Sequence, residues 1–235
     1  MMKITTAFFA FVLSMTIFSA NAHAEDSTAA QKEWTFLVYI NGHNNLDSYG
    51  AENIKGMEKV GSSDKLNIVV QWASEDNGDT RRLLIQKDTT NSQNVTSPVV
   101  QSLPQVDMGD YHSLTSFVQC GVQNYPAKHY FIAVWNHGNG WHLQNATGDM
   151  HANDISWDDN SGNHITTEQL GVAMGEAAKI IGHKVDIYGS DACLMAMAEV
   201  AGEMKDSVSG WVGSQETEPG DGWPYATFLA DWAKN

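Results

Sequence analysis

Tyr130-Phe131-Ile132-Ala133-Val134-Trp135, followed at once by Asn136-His137-Gly138-Asn139-Gly140, is the stretch that decides the fold of this chain. Consecutive apolar residues with aromatic and β-branched side chains are typical of a short strand that is buried on both faces. The asparagines and glycines that follow are typical of a turn. We therefore predict a central strand over 130–135 that delivers His137 to the loop beyond its carboxyl end.

Similar runs lie on both sides of this strand. The segments predicted as strands are 34–40, 66–72, 81–86, 185–190 and 208–214, and those predicted as helices are 48–60, 113–125, 166–181, 194–204 and a segment from 225 onward. Residues 88–108 and 142–165 are polar and predicted to be irregular. Strands that alternate with helices indicate an α/β fold, with a mostly parallel sheet covered on both faces.

The first 24 residues have the layout of a secretory signal peptide. Lys3 supplies a positive start, an apolar run covers 7–18, and Ala22-His23-Ala24 offers small residues for cleavage after Ala24. The apolar run is short for a membrane span of ~20 residues. We predict a secreted or periplasmic protein without stable membrane insertion after cleavage, with a short linker over 25–33 and one domain over 34–235. The pattern is still helical at Asn235, which indicates either a short protein or an incomplete sequence.

Charge and cysteine content narrow the classes of partner. The net charge is −15, and removing residues 1–24, which carry one cation and no acid, makes it −16. Such an acidic chain is a poor match for nucleic acid. Export would permit a disulfide between Cys120 and Cys193, but their contexts argue against one. Cys120 follows the apolar face of a predicted helix and is predicted to be a small core residue.

Ligands of parallel sheets bind beyond the carboxyl ends of the strands. Three segments lie there in this chain, 136–140, 191–193 and 215–221, and they carry His137 and Cys193. A histidine that accepts the thiol proton and a thiolate that attacks a carbonyl are sufficient for acyl transfer to water. The main-chain N–H groups of Gly138 and Cys193 are candidate oxyanion donors, since Gly138 has no side chain to obstruct a substrate.

Plainer interpretations of these residues stay open at this point. His137 alone would more often be a loop hydrogen-bonding residue, and Cys193 alone would more often belong to the core. The histidines and acids between His142 and His164 suggest a metal site, but their spacing fits neither a calcium-binding EF-hand nor a zinc site. No cofactor is required by the sequence.

The chain resembles the clostripain family of cysteine peptidases, which belongs to the caspase-like clan. Four stretches carry the resemblance: 34–39 leading to Asn44-Asn45-Leu46, Val134-Trp135-Asn136-His137-Gly138-Asn139-Gly140-Trp141, Asp191-Ala192-Cys193-Leu194-Met195, and Glu216-Thr217-Glu218-Pro219-Gly220-Asp221-Gly222-Trp223-Pro224-Tyr225. The resemblance implies a caspase-like three-layer α/β/α sandwich and a catalytic dyad of His137 and Cys193. It also implies cleavage after Arg or Lys, with Asp191 and Asp221 in the pocket for that side chain.

Two carboxylates in a partly desolvated pocket would select a long cation and reject a neutral side chain of the same shape. Asp191 could instead cap a helix, and Asp221 could belong to an ordinary Asp-Gly turn. Because some relatives respond to calcium, a weak calcium site elsewhere also stays open. We expect an exported cysteine endopeptidase that acts on protein or peptide substrates with Arg or Lys. The alternatives are a peptidase of the same clan with another specificity, or a non-catalytic binding module on the same fold.

Overall fold

The computed structural model of the protein describes residues 31–76, 78–141 and 154–234. In this part of the chain the strands are β1 (Lys32–Gly42), β2 (Leu66–Ser74), β3 (Thr80–Leu84), β4 (Val99–Leu103), β5 (Ala127–Trp135), β6 (Asp154–Asp158), β7 (Asn163–Thr166), β8 (Val185–Asp191) and β9 (Val208–Val212). The helices are α1 (Asp47–Glu58), α2 (Tyr111–Asn124), α3 (Thr167–Ile181), α4 (Ala198–Met204) and α5 (Tyr225–Trp232).

Seven strands form one sheet in the order β4-β3-β2-β1-β5-β8-β9, and β6 and β7 form a separate hairpin. The neighbouring pairs among β2, β1, β5, β8 and β9 are parallel. At one edge, β3 pairs antiparallel with both β2 and β4. The sequence prediction of a mostly parallel sheet flanked by helices is confirmed. In register, Ile40 of β1, Trp135 of β5 and Asp191 of β8 stand side by side, so the segments after them meet at one edge of the sheet.

Alternate side chains of the central strands pack into two hydrophobic cores, one on each face of the sheet. Leu37 and Tyr39 of β1 pack in the core that α2, α3 and α4 cover. Phe36, Val38 and Ile40 pack in the core that α1 and α5 cover. Because consecutive strand residues point to opposite faces, a strand buried on both sides needs an unbroken apolar run, which β1 and β5 have. The two cores hold the sheet rigid beneath its loops.

Several predicted boundaries differ from the structure. β1 begins at Lys32, two residues before the predicted strand 34–40, because Lys32 already pairs with Ala127 of β5 and its N–H donates to the Pro126 carbonyl. The segment 88–108, predicted to be irregular, contains β4, and the segment 142–165 contains the hairpin of β6 and β7. The strands β4, β6 and β7 are short, and β4 is mostly exposed. Their pairing comes from neighbouring strands rather than from a continuous apolar run of their own. The predicted signal peptide lies outside the described residues.

The prediction that Cys120 is a core residue is wrong. This residue is partly exposed near the end of α2, not buried, because Gly121 rather than Cys120 faces Leu37 of the core. Both cysteines are free. In the described ranges, each helix falls short of the length or the apolar character that crossing a bilayer demands.

Candidate active site

His137 and Cys193 meet at the carboxyl edge of the sheet. His137 lies two residues beyond the end of β5, and Cys193 lies two residues beyond the end of β8, the adjacent parallel strand. Both residues line a cleft of about 360 Å³, and both also line a smaller cavity of about 210 Å³. The strand-end argument therefore brings together the two residues that the sequence selected for acyl transfer.

The imidazole of His137 is oriented by an amide. Its Nε2 lies 2.7 Å from Oδ1 of Asn45, in the turn after β1. An amide oxygen only accepts, so this contact places the hydrogen on Nε2 and leaves a lone pair on Nδ1. Burial lowers the pKa of His137, and the carboxylates of Asp159 and Asp154 oppose that effect. The ring is thus favoured in the neutral form that can accept a proton.

Gly138 occupies a position where a side chain does not fit. A Cβ there would lie 2.8 Å from the Cys193 carbonyl oxygen and 3.0 Å from Cβ of Ala192. The sequence analysis attributed this glycine to the approach of a substrate, whereas the structure shows the cysteine segment itself against it. Gly138 also forms an antiparallel bridge with Ile155 in which the hydrogen bonds belong to the flanking residues. In such a pair the N–H of Gly138 points away from the hairpin, where it is available to a ligand.

Three asparagines fasten the β6–β7 hairpin beside His137. Asn41 and Asn44 donate to the Trp157 carbonyl at 2.7 and 2.6 Å, and Oδ1 of Asn136 accepts from the Trp157 N–H at 2.7 Å. Asn136 also donates to the Asn41 carbonyl at 2.7 Å. These buried amides replace the strand pairing that each segment lacks, and they fix the loop that carries His137.

A buried aspartate adds to this attachment. Asp158 accepts from Nδ1 of His43 at 2.8 Å, from the Met108 N–H at 2.8 Å and from the Ser161 N–H at 3.0 Å. Burial alone would raise the pKa of Asp158, but these donors hold it below its usual range. Asp158 is therefore an ionised part of the framework on the histidine side of the cleft.

The segment after β8 is irregular up to α4, and a second loop pairs with it. Leu194 has a positive φ of 60°, and the predicted helix from 194 begins only at Ala198. The N–H groups of Leu194 and Ala196 donate to the carbonyls of Glu216 and Ser214 at 3.0 and 2.8 Å. We call residues 214–224 the Glu218 loop, because the Glu218 N–H donates to Sγ of Cys193 at 3.2 Å.

Asp191 lies behind the smaller cavity, next to Gly222 and Glu218 of its lining, and is only 3 % exposed. Its Oδ2 accepts from the Tyr225 hydroxyl at 2.8 Å and from the Trp223 N–H at 3.1 Å. Burial raises the pKa of Asp191 to about 7, and the adjacent carboxyl group of Glu218 adds to the increase. Two carboxyl groups therefore lie together beside Cys193, with Glu218 in the lining of the cavity and Asp191 behind it, and the role of Asp191 in a substrate pocket stays a prediction.

The carboxyl group next to Asp191 in the structure belongs to Glu218. Asp221 is exposed at the surface of the Glu218 loop, whereas Glu218, three residues earlier, lines the cavity. The placement of Asp221 in the cavity stays a prediction without a contact in its favour. Within the described ranges no group of three His, Cys, Asp or Glu side chains is arranged to hold a metal ion. His142, Asp149 and His151 lie outside those ranges, and a calcium site stays a prediction.

Comparison of the sequence with known families identifies one that it matches. The model of the clostripain family matches residues 38–235, which include His137 and Cys193 and the loops around them. The chain belongs to the clostripain family. Clostripain of Hathewaya histolytica is 28% identical over 197 residues, which cover 75% of this chain and 37% of clostripain.

Solved structures of the same kind share the fold. One is a secreted C11 cysteine protease from Bacteroides thetaiotaomicron in complex with an irreversible peptide inhibitor, with a TM-score of 0.69, 24% identity, and coverage of 85% of this chain and 53% of the other. Another is an inactive zymogen C11 protease from Parabacteroides distasonis, with a TM-score of 0.65, 20% identity, and coverage of 86% and 54%. This clostripain-family chain thus has a caspase-like fold and spans about half the length of those structures and 37% of clostripain.

Sequence reasoning missed two residues of the site. Asn45 sits in the turn after β1, beside the end of β5, so the same strand-end rule that selected His137 could have found it. Glu218 belongs to a stretch with acids at 216, 218 and 221, and nothing in residue type distinguishes the three. Only the turn made by Gly222 N–H to the Pro219 carbonyl, which places Glu218 inward, separates them.

Proposed function

We propose that this chain is an exported cysteine endopeptidase that cleaves after Arg or Lys through Cys193 and His137. The observation that carries the proposal is the shared cleft, in which the thiol, the imidazole and a carboxylate-lined cavity lie side by side. Membership of the clostripain family supports the activity. The description of one structural relative as secreted, together with the predicted signal peptide, supports export.

The geometry supports the following sequence of steps. The Nδ1 lone pair of His137 accepts the Cys193 thiol proton, and Sγ attacks the scissile carbonyl carbon. The N–H groups of Gly138 and Cys193 hold the oxyanion. The C–N bond then breaks as the imidazolium returns its proton to the leaving amine, which leaves a thioester on Cys193. Water, deprotonated by His137, hydrolyses the thioester and regenerates the thiol.

Specificity follows from the cavity beside the nucleophile. Glu218 lines this cavity and the buried Asp191 lies next to Glu218, so the two carboxyl groups can offer charge-assisted hydrogen bonds to an ammonium or guanidinium group. The walls are formed by Leu46, Trp135 and Pro219, which suit the methylene stem of a long side chain. A neutral side chain of equal length would leave the carboxylates unpaired, and we expect it to be a poor substrate.

Hydrolysis of fluorogenic peptides tests this proposal. We expect the wild-type chain to release the fluorophore from Arg- and Lys-coupled peptides and the Cys193→Ala variant to release none. Cys120→Ala is the matched control, because it removes the other thiol and leaves the cleft intact. Turnover that survives in Cys193→Ala, or that disappears in Cys120→Ala, would contradict the assignment of the nucleophile. An active wild type that prefers acidic or apolar residues would contradict the specificity alone.

A further inference from the structure

Two carboxyl groups lie beside Cys193, Glu218 in the lining of the smaller cavity and Asp191 behind it, and the described residues do not satisfy all of their oxygens. Asp191 receives two hydrogen bonds from Trp223 and Tyr225, both on one oxygen. Glu218 receives only a long contact of 3.4 Å from Nε1 of Trp223, and its Oε2 is buried without a hydrogen-bond partner among the described residues. The described residues that line the cavity include no Lys or Arg. A buried carboxylate oxygen without a donor is costly unless a ligand supplies one.

We propose that Glu218 is the specificity-determining residue that, together with Asp191, binds the cationic side chain of the substrate. This inference rests on the proposed function and deepens it. It assigns the second carboxylate to Glu218, in place of the Asp221 that the family resemblance implies. The chemical class of the ligand is a primary ammonium or a guanidinium group on an aliphatic stem.

The Glu218 loop holds this side chain in place from both ends. On one side, the Leu194 N–H donates to the Glu216 carbonyl at 3.0 Å, which pairs the loop with the cysteine segment. On the other side, the Gly222 N–H closes a turn on the Pro219 carbonyl at 3.0 Å. Between them Gly220 lies on the ring of Tyr49, which a Cβ would approach to 3.1 Å. The backbone therefore leaves Glu218 little freedom to leave the cavity.

The pair of acids is suited to a cation because Asp191 and Glu218 are adjacent and Asp191 is buried. Two facing carboxyl groups cannot both ionise cheaply in a buried site. A guanidinium presents several N–H donors in a planar fork, and an ammonium presents three, so either can satisfy Asp191 and Glu218 at once. When such a group enters, the proton on Asp191 leaves to solvent and the substrate cation takes its place. A neutral side chain leaves the proton where it is and gains no ion pair.

Glu218 also links the cavity to the nucleophile. Its side chain lies in the cavity while its main-chain N–H donates to Sγ of Cys193 at 3.2 Å. A substitution of the side chain preserves that N–H. The role in cation binding can therefore be separated from the contact with the thiol, which is what makes Glu218→Gln a selective test.

The experiment compares four chains on three substrates. Wild type, Glu218→Gln, Asp221→Asn and Glu216→Gln are assayed on one fluorogenic peptide that ends in Arg, in Lys or in citrulline, the neutral counterpart of Arg. We expect Glu218→Gln to lose about 10- to 100-fold in kcat/KM on the Arg and Lys peptides and much less on the citrulline peptide, so that the preference for Arg over citrulline falls. Glu216→Gln is the matched control, since its side chain is exposed on the same loop. Labelling of Cys193 by iodoacetamide and thermal melting establish that each variant is folded with an accessible thiol.

The outcomes separate this inference from the function on which it rests. If wild type does not prefer Arg and Lys to citrulline, the proposed specificity fails and the inference falls with it. If wild type prefers them and Asp221→Asn, rather than Glu218→Gln, removes the preference, Asp221 is the second carboxylate and only the inference is overturned. A uniform loss on all three peptides in Glu218→Gln would assign Glu218 to the nucleophile instead, and would also overturn it.

Discussion

Two buried aspartates flank the paired histidine and cysteine, and their surroundings are opposite in kind. Asp158, on the histidine side, is 0 % exposed and receives hydrogen bonds from a histidine ring and two main-chain N–H groups. Asp191, on the cysteine side, is 3 % exposed and faces another acid, Glu218. Similar burial thus accompanies two different electrostatic states.

The donors decide which state results. Burial tends to raise the pKa of both acids, yet the pKa of Asp158 lies below its usual range and that of Asp191 is raised to about 7. Asp158 completes its hydrogen bonds within the protein, which marks the hairpin on the histidine side as framework. Glu218, next to Asp191, does not complete its own among the described residues, and the cationic side chain that we propose as ligand would supply the missing donors.

The largest effect should come from removing Asp158, whose hydrogen bonds are completed within the protein. We expect Asp158→Ala to lower the free energy of unfolding by about 3–5 kcal/mol, because it strands His43 and two buried N–H groups without their acceptor. Urea denaturation of the purified chain measures this loss. Asp159→Ala is the matched control, because Asp159 is adjacent and exposed. Equal losses in the two variants would show that the hydrogen bonds of Asp158 do not hold the hairpin.

The contribution of Asp191 to stability should depend on pH with a sign opposite to that of Asp158. The folded-state pKa of Asp191 is raised, so the stability that its protonated form contributes is complete below about pH 4 and is lost as pH rises through about 7. Asp191→Asn keeps a neutral group of the same shape that can still accept from Tyr225. We expect the variant to match wild type near pH 4 and to exceed it by on the order of 3 kcal/mol above about pH 8.

Urea melts of wild type and Asp191→Asn across this pH range measure the difference. Urea is chosen over guanidinium because a guanidinium ion would itself occupy the cavity. A difference that stays constant with pH would show that Asp191 is already ionised in the folded chain, and the contrast with Asp158 would disappear. The same variant should lose cleavage after Arg, which ties the stability effect to the proposed binding of the substrate cation.

The two sides also differ in how far the sequence could predict them. The central strands and the positions of His137 and Cys193 follow from apolar runs and from the turns that end them, which are local signals. The β6–β7 hairpin has no such run, since its strands are held by side chains more than 100 positions away, such as Asn41. Glu218 and Asp221 have the same local chemistry, so only the path of the loop assigns them. Sequence reasoning therefore brought His137 and Cys193 to one cleft, but it did not select Asn45 or Glu218, which also line the cleft or its smaller cavity.

The contact between the two sides is close at Gly138, and a methyl group there should disturb both. A Cβ at 138 would lie 2.8 Å from a main-chain oxygen, which cannot rotate away as a side chain would. We expect Gly138→Ala to cost about 1–3 kcal/mol in unfolding free energy and to lower kcat by moving the cysteine segment. Gly202→Ala is the control, since a Cβ there meets nothing within 4 Å in α4. Identical behaviour of the two variants would show that the segments are free to separate.

The smallest effect should sharpen the comparison at Asn45, an exposed group on the histidine side that touches the reacting ring. Its Oδ1 fixes the hydrogen on Nε2 of His137 and leaves a lone pair on Nδ1, which is the atom that we propose accepts the thiol proton. Asn45→Ala removes the acceptor for the Nε2 hydrogen, and because Asn45 is exposed the change creates no buried cavity. We expect kcat to fall about tenfold with KM and the free energy of unfolding unchanged, because a single hydrogen bond that orients the base is lost.

Asn45→Asp distinguishes positioning of the ring from mere packing. The carboxylate keeps an acceptor for the Nε2 hydrogen, so it should restore more activity than Ala does. It also places a negative charge against an imidazole whose pKa is lowered by burial. A negative neighbour favours the protonated ring, so the acidic limb of the pH–kcat profile should move to higher pH in Asn45→Asp and not in Asn45→Ala. If the two variants lose activity equally and share the wild-type profile, Asn45 acts through packing alone, and the histidine side contributes framework and nothing more.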